Sequence, residues 1–267
     1  MQCQKLEMTW LTQESFFRHT WDTTPLSLSL GRDKIAVGLN DGSVGIWSIS
    51  DGHWAETTTC HAHDKGVRAL LWCEGMLITG SYDHLIRLWS VTDKLALLQT
   101  VQIHSDGVWD LQCDKFGVSK WIVSAGLDGG IGAMRMNTNE LEVVTKWSVD
   151  NEEFTCVQLS SRLDLVATGG DSGKLYLWKM STAGMDKRIL KHRGGVSGVQ
   201  FLPWQSVCHF AQASLLLTAD HYGKLRLWNL ENDTCLAQVL GHRDAIRSLD
   251  CSYTRYLYIE NAYNLNS

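Results

Sequence analysis

An all-β fold assembled from repeating four-stranded antiparallel sheets is what this 267-residue sequence predicts. Three observations carry the prediction. GIW, RLW, YLW and RLW end at Trp47, Trp89, Trp178 and Trp228; the first interval is 42 residues, the next is 89, and Met134 of GAM lies near the middle of the longer one. Upstream of these endings, HDKGVRAL, HSDGVWDL, HRGGVSGV and HRDAIRSL begin at His63, His104, His192 and His242, giving a period of about 41 to 50 residues. Between the markers lie alternating apolar segments of strand length, separated by Gly, Asp and Asn turns, and no stretch keeps a 3.6-residue period long enough for a helix. One four-stranded sheet per repeat, stacked around an axis, is a β-propeller.

The repeats follow in order. Five of them supply three-strand cores at about residues 19–49, 61–91, 103–136, 150–180 and 190–230. The second shows all its segments: VRALLW, MLITGS, the turn YDH, LIRLWSV and LALLQTV. A partial sixth opens with GHRDAIRSLDC and turns into RYLYIENAYNLNS, which lacks the turn-plus-RLW ending and supplies at most a second strand. Seven blades would need near 300 residues at about 43 each. The expected division is therefore 1–18, a lead-in or closing strand, and 19–267, a propeller with a partial last blade. KLEMTWL is a candidate closing strand, and the ring either closes at six blades or stays open.

Composition narrows the function. Lys plus Arg number 24 against 29 Asp plus Glu, so the net charge of −5 argues against a general nucleic-acid binder. No apolar run approaches the roughly 18 residues of a membrane span. The N-terminus MQCQKLEMTW lacks the apolar stretch of a secretory signal. Eight scattered cysteines form no CxxC clip, and several sit in apolar runs where a thiol acts as a small hydrophobe, which points to the cytoplasm or nucleus.

The combination of spacing, histidine, turn aspartate and tryptophan resembles the WD-repeat family over nearly the whole chain from about residue 19. The resemblance implies a hydrogen-bonded tetrad in each blade, and by position His63, Thr79, Asp83 and Trp89 form a full set. Repeat three keeps His104, Ser124 and Asp128 but has Met134 for tryptophan. Repeat one has Asp41 and Trp47 with Val37 at the hydroxyl position. Repeat four has Thr168, Trp178 and Ser172 without a histidine, and repeat five has His192, Thr218 and Trp228 with Tyr222 at the turn. On this reading only one tetrad is complete, and stability rests chiefly on apolar burial.

Look-alike motifs fail on inspection. GGDSGK (169–174) has Thr168 and Leu175 where a phosphate loop needs glycine and a hydroxyl residue. GLDGGIG (126–132) is not followed by a helix pattern. CHAHD gathers Cys60, His61 and His63 but finds no fourth metal ligand nearby in sequence. Neither a catalytic constellation nor a cofactor or metal site is expected.

The resemblance also implies a partner-binding top face. Its positions five residues after the motif histidine are Arg68, Trp109, Ser197 and Arg247, with Thr155 the equivalent in repeat four; the positions before the turn acid are Asn40, Tyr82, Leu127, Asp171 and His221. Arginine and aromatic residues are what binding hot spots are made of. Trp109 either anchors a partner there or packs across the channel between blades. The leading functional expectation is a non-catalytic scaffold binding a protein or peptide, acidic or phosphorylated in character, with no nucleic acid or membrane partner. The Trp-containing lead-in MTWLTQESFF is also similar to the junction in F-box/WD substrate receptors of ubiquitin ligases, although no F-box pattern is present. An enzyme working in the channel is the rival of another class.

Overall fold

The computed structural model describes residues 7–12, 15–50, 53–92, 94–114, 120–181, 188–202, 214–251 and 257–260. All regular structure among these residues is β. A hairpin of β1 (Glu7–Thr12) and β2 (Ser15–Thr20) comes first. The first four-stranded sheet is β3 (Pro25–Leu30), β4 (Lys34–Leu39), β5 (Ser43–Ser50) and β6 (His53–His61). The second is β7 (Val67–Cys73), β8 (Met76–Ser81), β9 (Ile86–Val91) and β10 (Leu95–Val101). The third is β11 (Val108–Cys113), β12 (Trp121–Gly126), β13 (Gly130–Met136) and β14 (Leu141–Ser148). The fourth is β15 (Phe154–Ser160), β16 (Leu165–Gly170), β17 (Lys174–Lys179) and β18 (Arg188–Lys191). The fifth is β19 (Val196–Phe201), β20 (Leu215–Asp220), β21 (Lys224–Asn229) and β22 (Thr234–Leu240). Two short strands, β23 (Ser248–Cys251) and β24 (Leu257–Glu260), end the described chain as a two-stranded sheet. Every four-stranded sheet keeps its strands in chain order, the meander of a blade. The lead-in strand β1 pairs with β2, Trp10 facing Phe17 in the register.

Residues 1–111 with 135–144 form one compact unit, and residues 112–134 with 145–267 form another. In the first, Ala36, Val44, Ile46, Val67, Leu77 and Trp89 share a core, and Trp21, Ile35, Val37 and Trp47 make a second cluster. In the second, Val123, Ile131, Trp147, Phe154, Tyr176 and Trp178 pack together, and Leu175, Leu190, Val196, Leu216 and Trp228 form the neighbouring cluster.

Burial is graded across each sheet. The second strands are the most enclosed: KIAVGL, MLITGS, WIVSAG and LVATGG are buried after their first residue, and LLLTAD throughout. Here the structure departs from the expected period-two alternation. A strand flanked on both edges and covered on both faces reads as a continuous apolar run with small residues. The fourth strands are the opposite extreme, and β22 is exposed at all seven positions.

Two backbone details position the candidate site. The first strands carry a β-bulge near their starts, at Leu26, Arg68, Thr155 and Ser197, where the register shifts against the second strand. A bulge inserts an unpaired residue and re-aims its side chain. The turn between second and third strands holds a left-handed residue: Gly42, Gly129, Gly173 and Gly223, but His84 (φ 73) in the second sheet. At Gly42 an added β-carbon would lie 1.9 Å from the His63 carbonyl oxygen, so that turn tolerates no side chain. His84 carries one, at the strain cost of a non-glycine left-handed residue.

His84→Gly is therefore expected to stabilise the chain by about 0.5 kcal/mol, net of the extra unfolded-state entropy of glycine. The exposed 3.9 Å approach of His84 to Asp106 is screened and offsets little of that gain. Urea unfolding of the two proteins measures it, and a destabilised variant would show that the histidine side chain holds the turn.

Candidate functional site

The tetrad residues come first, because they fix the loops that carry the candidate binding residues. In the second sheet Trp89 Nε1 donates to Thr79 Oγ1 (2.9 Å), Thr79 Oγ1 lies 2.6 Å from His63 Nε2, and His63 Nδ1 lies 2.9 and 3.0 Å from the two Asp83 oxygens. An indole can only donate and a carboxylate only accept, so with the imidazole neutral the intervening roles follow. Thr79 gives its proton to His63 Nε2, and His63 gives the Nδ1 proton to Asp83. Burial alone would raise the Asp83 carboxyl, but the His63 hydrogen bond and charge, with the Leu85 and Asp64 amides, bring it down to about 2.

The fifth sheet contains a second complete set, which corrects the expectation of one. Trp228 Nε1 donates to Thr218 Oγ1 (2.9 Å), His192 Nε2 lies 2.7 Å from that hydroxyl, and His192 Nδ1 lies 3.2 Å from Asp220. Asp220 ends β20, two positions before Tyr222, and is fully buried. The acid has moved from the turn into the strand. Burial first, then the nearby Arg226 charge, lower His192 against the opposing pull of Asp220, to about 4.

The remaining sheets fill the same place with other chemistry. In the fourth, Glu152 enters from the loop before β15 and accepts from Tyr176 Oη and Ser172 Oγ, both at 2.8 Å, while Trp178 Nε1 donates to Thr168 Oγ1 (3.0 Å). Burial and then the Glu152 carboxylate push the Tyr176 hydroxyl far above the ordinary tyrosine range. In the first, Trp21 stands at the histidine position and meets Trp47 edge-on at 5.8 Å, with Val37 buried beside them. In the third, His104, Ser124 and Met134 are buried, and Asp128 pairs with Lys146 at 2.8 Å.

Three bulge-region hydroxyls join successive sheets. Ser27 Oγ donates to the Val67 carbonyl (2.7 Å) and Thr155 Oγ1 to the Val196 carbonyl (2.7 Å), while Ser197 Oγ donates to the Ile246 carbonyl. In the second sheet the bulge residue is Arg68, and its guanidinium carbon lies 4.8 Å from the centre of the Trp109 ring. Tyr82 meets the same indole at 5.7 Å with an interplanar angle of 66°. All three are half-buried. Neither the Arg68 guanidinium nor the Tyr82 hydroxyl has a hydrogen-bond or ion-pair partner among the described residues.

The structure thus brings Arg68, Tyr82 and Trp109 together in the first unit. In the second unit, Asp171 and His221 flank Gly195, where an added β-carbon would lie 3.2 Å from Asp171 Oδ1 and 2.9 Å from His221 Nδ1. Ser197 is committed to the seam, Leu127 is half-buried, and Arg247 is exposed. Sequence reasoning missed Asp220 and Glu152. TADHYG against TGSYDH holds the signal for the first, an aspartate where the second repeat has Ser81. Glu152 lies inside DNEEFTCV, where two adjacent glutamates give no reason to bury one.

Repeated four-stranded antiparallel sheets with polar chains inside them define a repeat-built all-β protein. The family model "WD domain, G-beta repeat" matches residues 54–90. Relatives include the Arabidopsis thaliana protein FIZZY-RELATED 2, 26% identical over 77% of this chain and 32% of its own. Cell division cycle 20.1, cofactor of APC complex, from the same plant is 24% identical over 79% and 46%. A WD repeat-containing protein 26 homolog, also from Arabidopsis thaliana, is 21% identical over 86% and 52%. The chain thus carries a match to the WD repeat at residues 54–90 and is similar to these proteins over most of its length. It spans about a third of the length of FIZZY-RELATED 2.

Two stability predictions follow from the polar sets. Asp83→Ala should cost about 1–3 kcal/mol by stranding His63, whereas Asp41→Ala, which loses only the Ser43 amide contact, should cost less than half as much in parallel denaturant titrations. His192 also sets an acid dependence. Its folded pKa lies below the unfolded value of about 6.5, so the unfolded chain binds more protons and stability rises with pH between about 4 and 6.5. Below that window the Asp83 contribution, present above about 4, is lost as pH falls toward 2. Unfolding free energies should fall from pH 6.5 to 4, and His192→Asn should flatten that slope.

Proposed function

We propose that this chain is a non-catalytic scaffold that captures an acidic or phosphorylated segment of a partner protein on the Arg68–Trp109–Tyr82 cluster. One observation carries the reading: the Arg68 guanidinium carbon sits 4.8 Å over an indole while its N–H groups have no hydrogen-bond or ion-pair partner among the described residues. Stacking fixes the guanidinium and leaves its donors for a bidentate pair with carboxylate or phosphate. The net charge of −5 does not oppose this, because local potential governs the contact. A cytoplasmic or nuclear setting is supported by Cys60 and Cys235, which are in no disulfide. No helix among the described residues is long and apolar enough to cross a membrane.

A second reading takes the chain as an adaptor that presents a bound protein to a larger assembly, including substrate recognition for a ubiquitin ligase. It is favoured by similarity to a protein whose name makes it a cofactor of the APC complex. Co-purification of a multi-subunit assembly with the tagged chain separates this reading from a free-standing scaffold.

Affinity capture with wild type and Trp109→Ala, followed by mass spectrometry, identifies the partner and tests the site. Trp109→Ala should weaken binding of that partner by about 2 kcal/mol or more, as interface anchors do, with the melting temperature nearly unchanged. Arg68→Ala should weaken binding and reduce its salt dependence. A stability loss of about 3–5 kcal/mol, that of a truncated core aromatic, with affinity intact in the folded fraction, would assign Trp109 to packing instead.

A further inference from the structure

The displaced acid of the fifth sheet has a consequence on the surface. Because Asp220 completes the polar chain from within β20, the turn position two residues later is released from that duty. Tyr222 occupies it and is 61% exposed. The ring is not adrift: an added β-carbon on Gly194 would come within 2.4 Å of Tyr222 Cδ2 and Cε2, so glycine is what lets the ring lie down on the 192–195 loop. His221 N donates to the Gly195 carbonyl (2.9 Å) and holds the turn to the same loop. On the other side, Gly223 accepts from the His242 amide (3.2 Å), which presses the turn against the 241–244 loop.

Each flanking loop places an arginine directly after its repeat histidine, Arg193 on one side and Arg243 on the other. Both are exposed, and neither has a side-chain partner among the described residues. Lys224 begins β21 and pairs in register with Leu240, which is 67% exposed, with Val239 at 57% beside it. The nearby acids are Asp171 and Asp244, and the Asp244 carboxylate accepts from the Ala245 amide at 2.7 Å. An exposed tyrosine, two unpaired arginines and two exposed aliphatic residues thus meet at one end of the fifth sheet.

We infer that this end of the fifth sheet is a second docking surface, for an acidic segment of a partner protein that carries a bulky apolar residue. The apolar residue packs on Tyr222 and Leu240, and flanking carboxylates pair with Arg193 and Arg243. The composition matches that of binding hot spots, in which arginine and tyrosine are enriched, and the charge is complementary to an acidic chain. The inference shares no residue with the Arg68 cluster and does not depend on it.

The test uses the full chain carrying Arg68→Ala, so that the first cluster contributes no anion contact. Fluorescence anisotropy is read with a labelled Glu-rich peptide bearing one central leucine, and with its Lys-rich counterpart. The Glu-rich peptide should bind and the Lys-rich one should not. Arg193→Glu with Arg243→Glu should weaken binding about tenfold or more with an unchanged melting curve, and Tyr222→Ala should weaken it while Tyr222→Phe retains it. Binding only to the chain with Arg68 intact, equal binding of both peptides, or affinity unaltered in the double variant would each overturn the inference. Binding only with Arg68 intact would assign the peptide to the Arg68 cluster, whereas the other two results leave that cluster untouched.

Discussion

A threonine hydroxyl has one proton to give, and in the second and fifth sheets that proton sets the direction of a whole chain of contacts. The tryptophan indole gives to Thr79 or Thr218, and with a neutral imidazole the hydroxyl gives to histidine Nε2 and the histidine gives from Nδ1 to its aspartate. A neutral ring takes part in this arrangement in one tautomer only, with the proton on Nδ1. A loop, a strand and an acid are thereby held to a third strand through a single ordered path. Arg68 follows His63 by five residues, so the same path fixes where β7 begins and which residue falls on the bulge. Protonating His192 would force Thr218 to turn its own proton toward the Arg226 carbonyl, 3.4 Å away. That poorer alternative gives a structural reason for the lowered basicity of the ring.

The other sheets show that the place matters more than the particular residues. Trp21, Val37 and Trp47 answer the demand with aromatic and apolar contact in place of a histidine–hydroxyl–acid chain. Tyr176 and Glu152 answer it with a hydroxyl and a carboxylate that approach from different elements. What is common is that the place is filled, by hydrogen-bonded polar chains in the second, fourth and fifth sheets and by aromatic contact in the first. Apolar burial then supplies the stability everywhere, with Trp147 and Trp178 stacked at 5.8 Å in the second unit.

Blade architecture was legible because tryptophan spacing and strand alternation are local signals that survive in one sequence. The meeting of Arg68, Tyr82 and Trp109 was legible only through the positions that the WD-repeat resemblance supplied. The bulge that turns Arg68 outward has no sequence mark, since VRALLW reads equally well without it. Asp220 and Glu152 escaped for a different reason. Each lies off the expected position, by two residues or on another loop, and only folded geometry shows that their carboxylates reach the same space. The buried second strands were readable as strands but not as fully enclosed ones, because enclosure depends on neighbours that are distant in the chain.

The bulge residue has a wider meaning. Ser197 and Thr155 hold their sheets to the next through one hydroxyl, while Arg68 in the same place holds no carbonyl and offers its charge instead. The surrounding backbone is the same in each case, with the register shift at the same point. On the proposed reading, fastening and recognition are alternative uses of one socket, separated by a single substitution. A scaffold built this way can gain a new contact by giving up one staple, while the other seams and the apolar core keep the sheets assembled. Repetition supplies such sockets in number, so novelty in binding can be tried one blade at a time without refolding the rest.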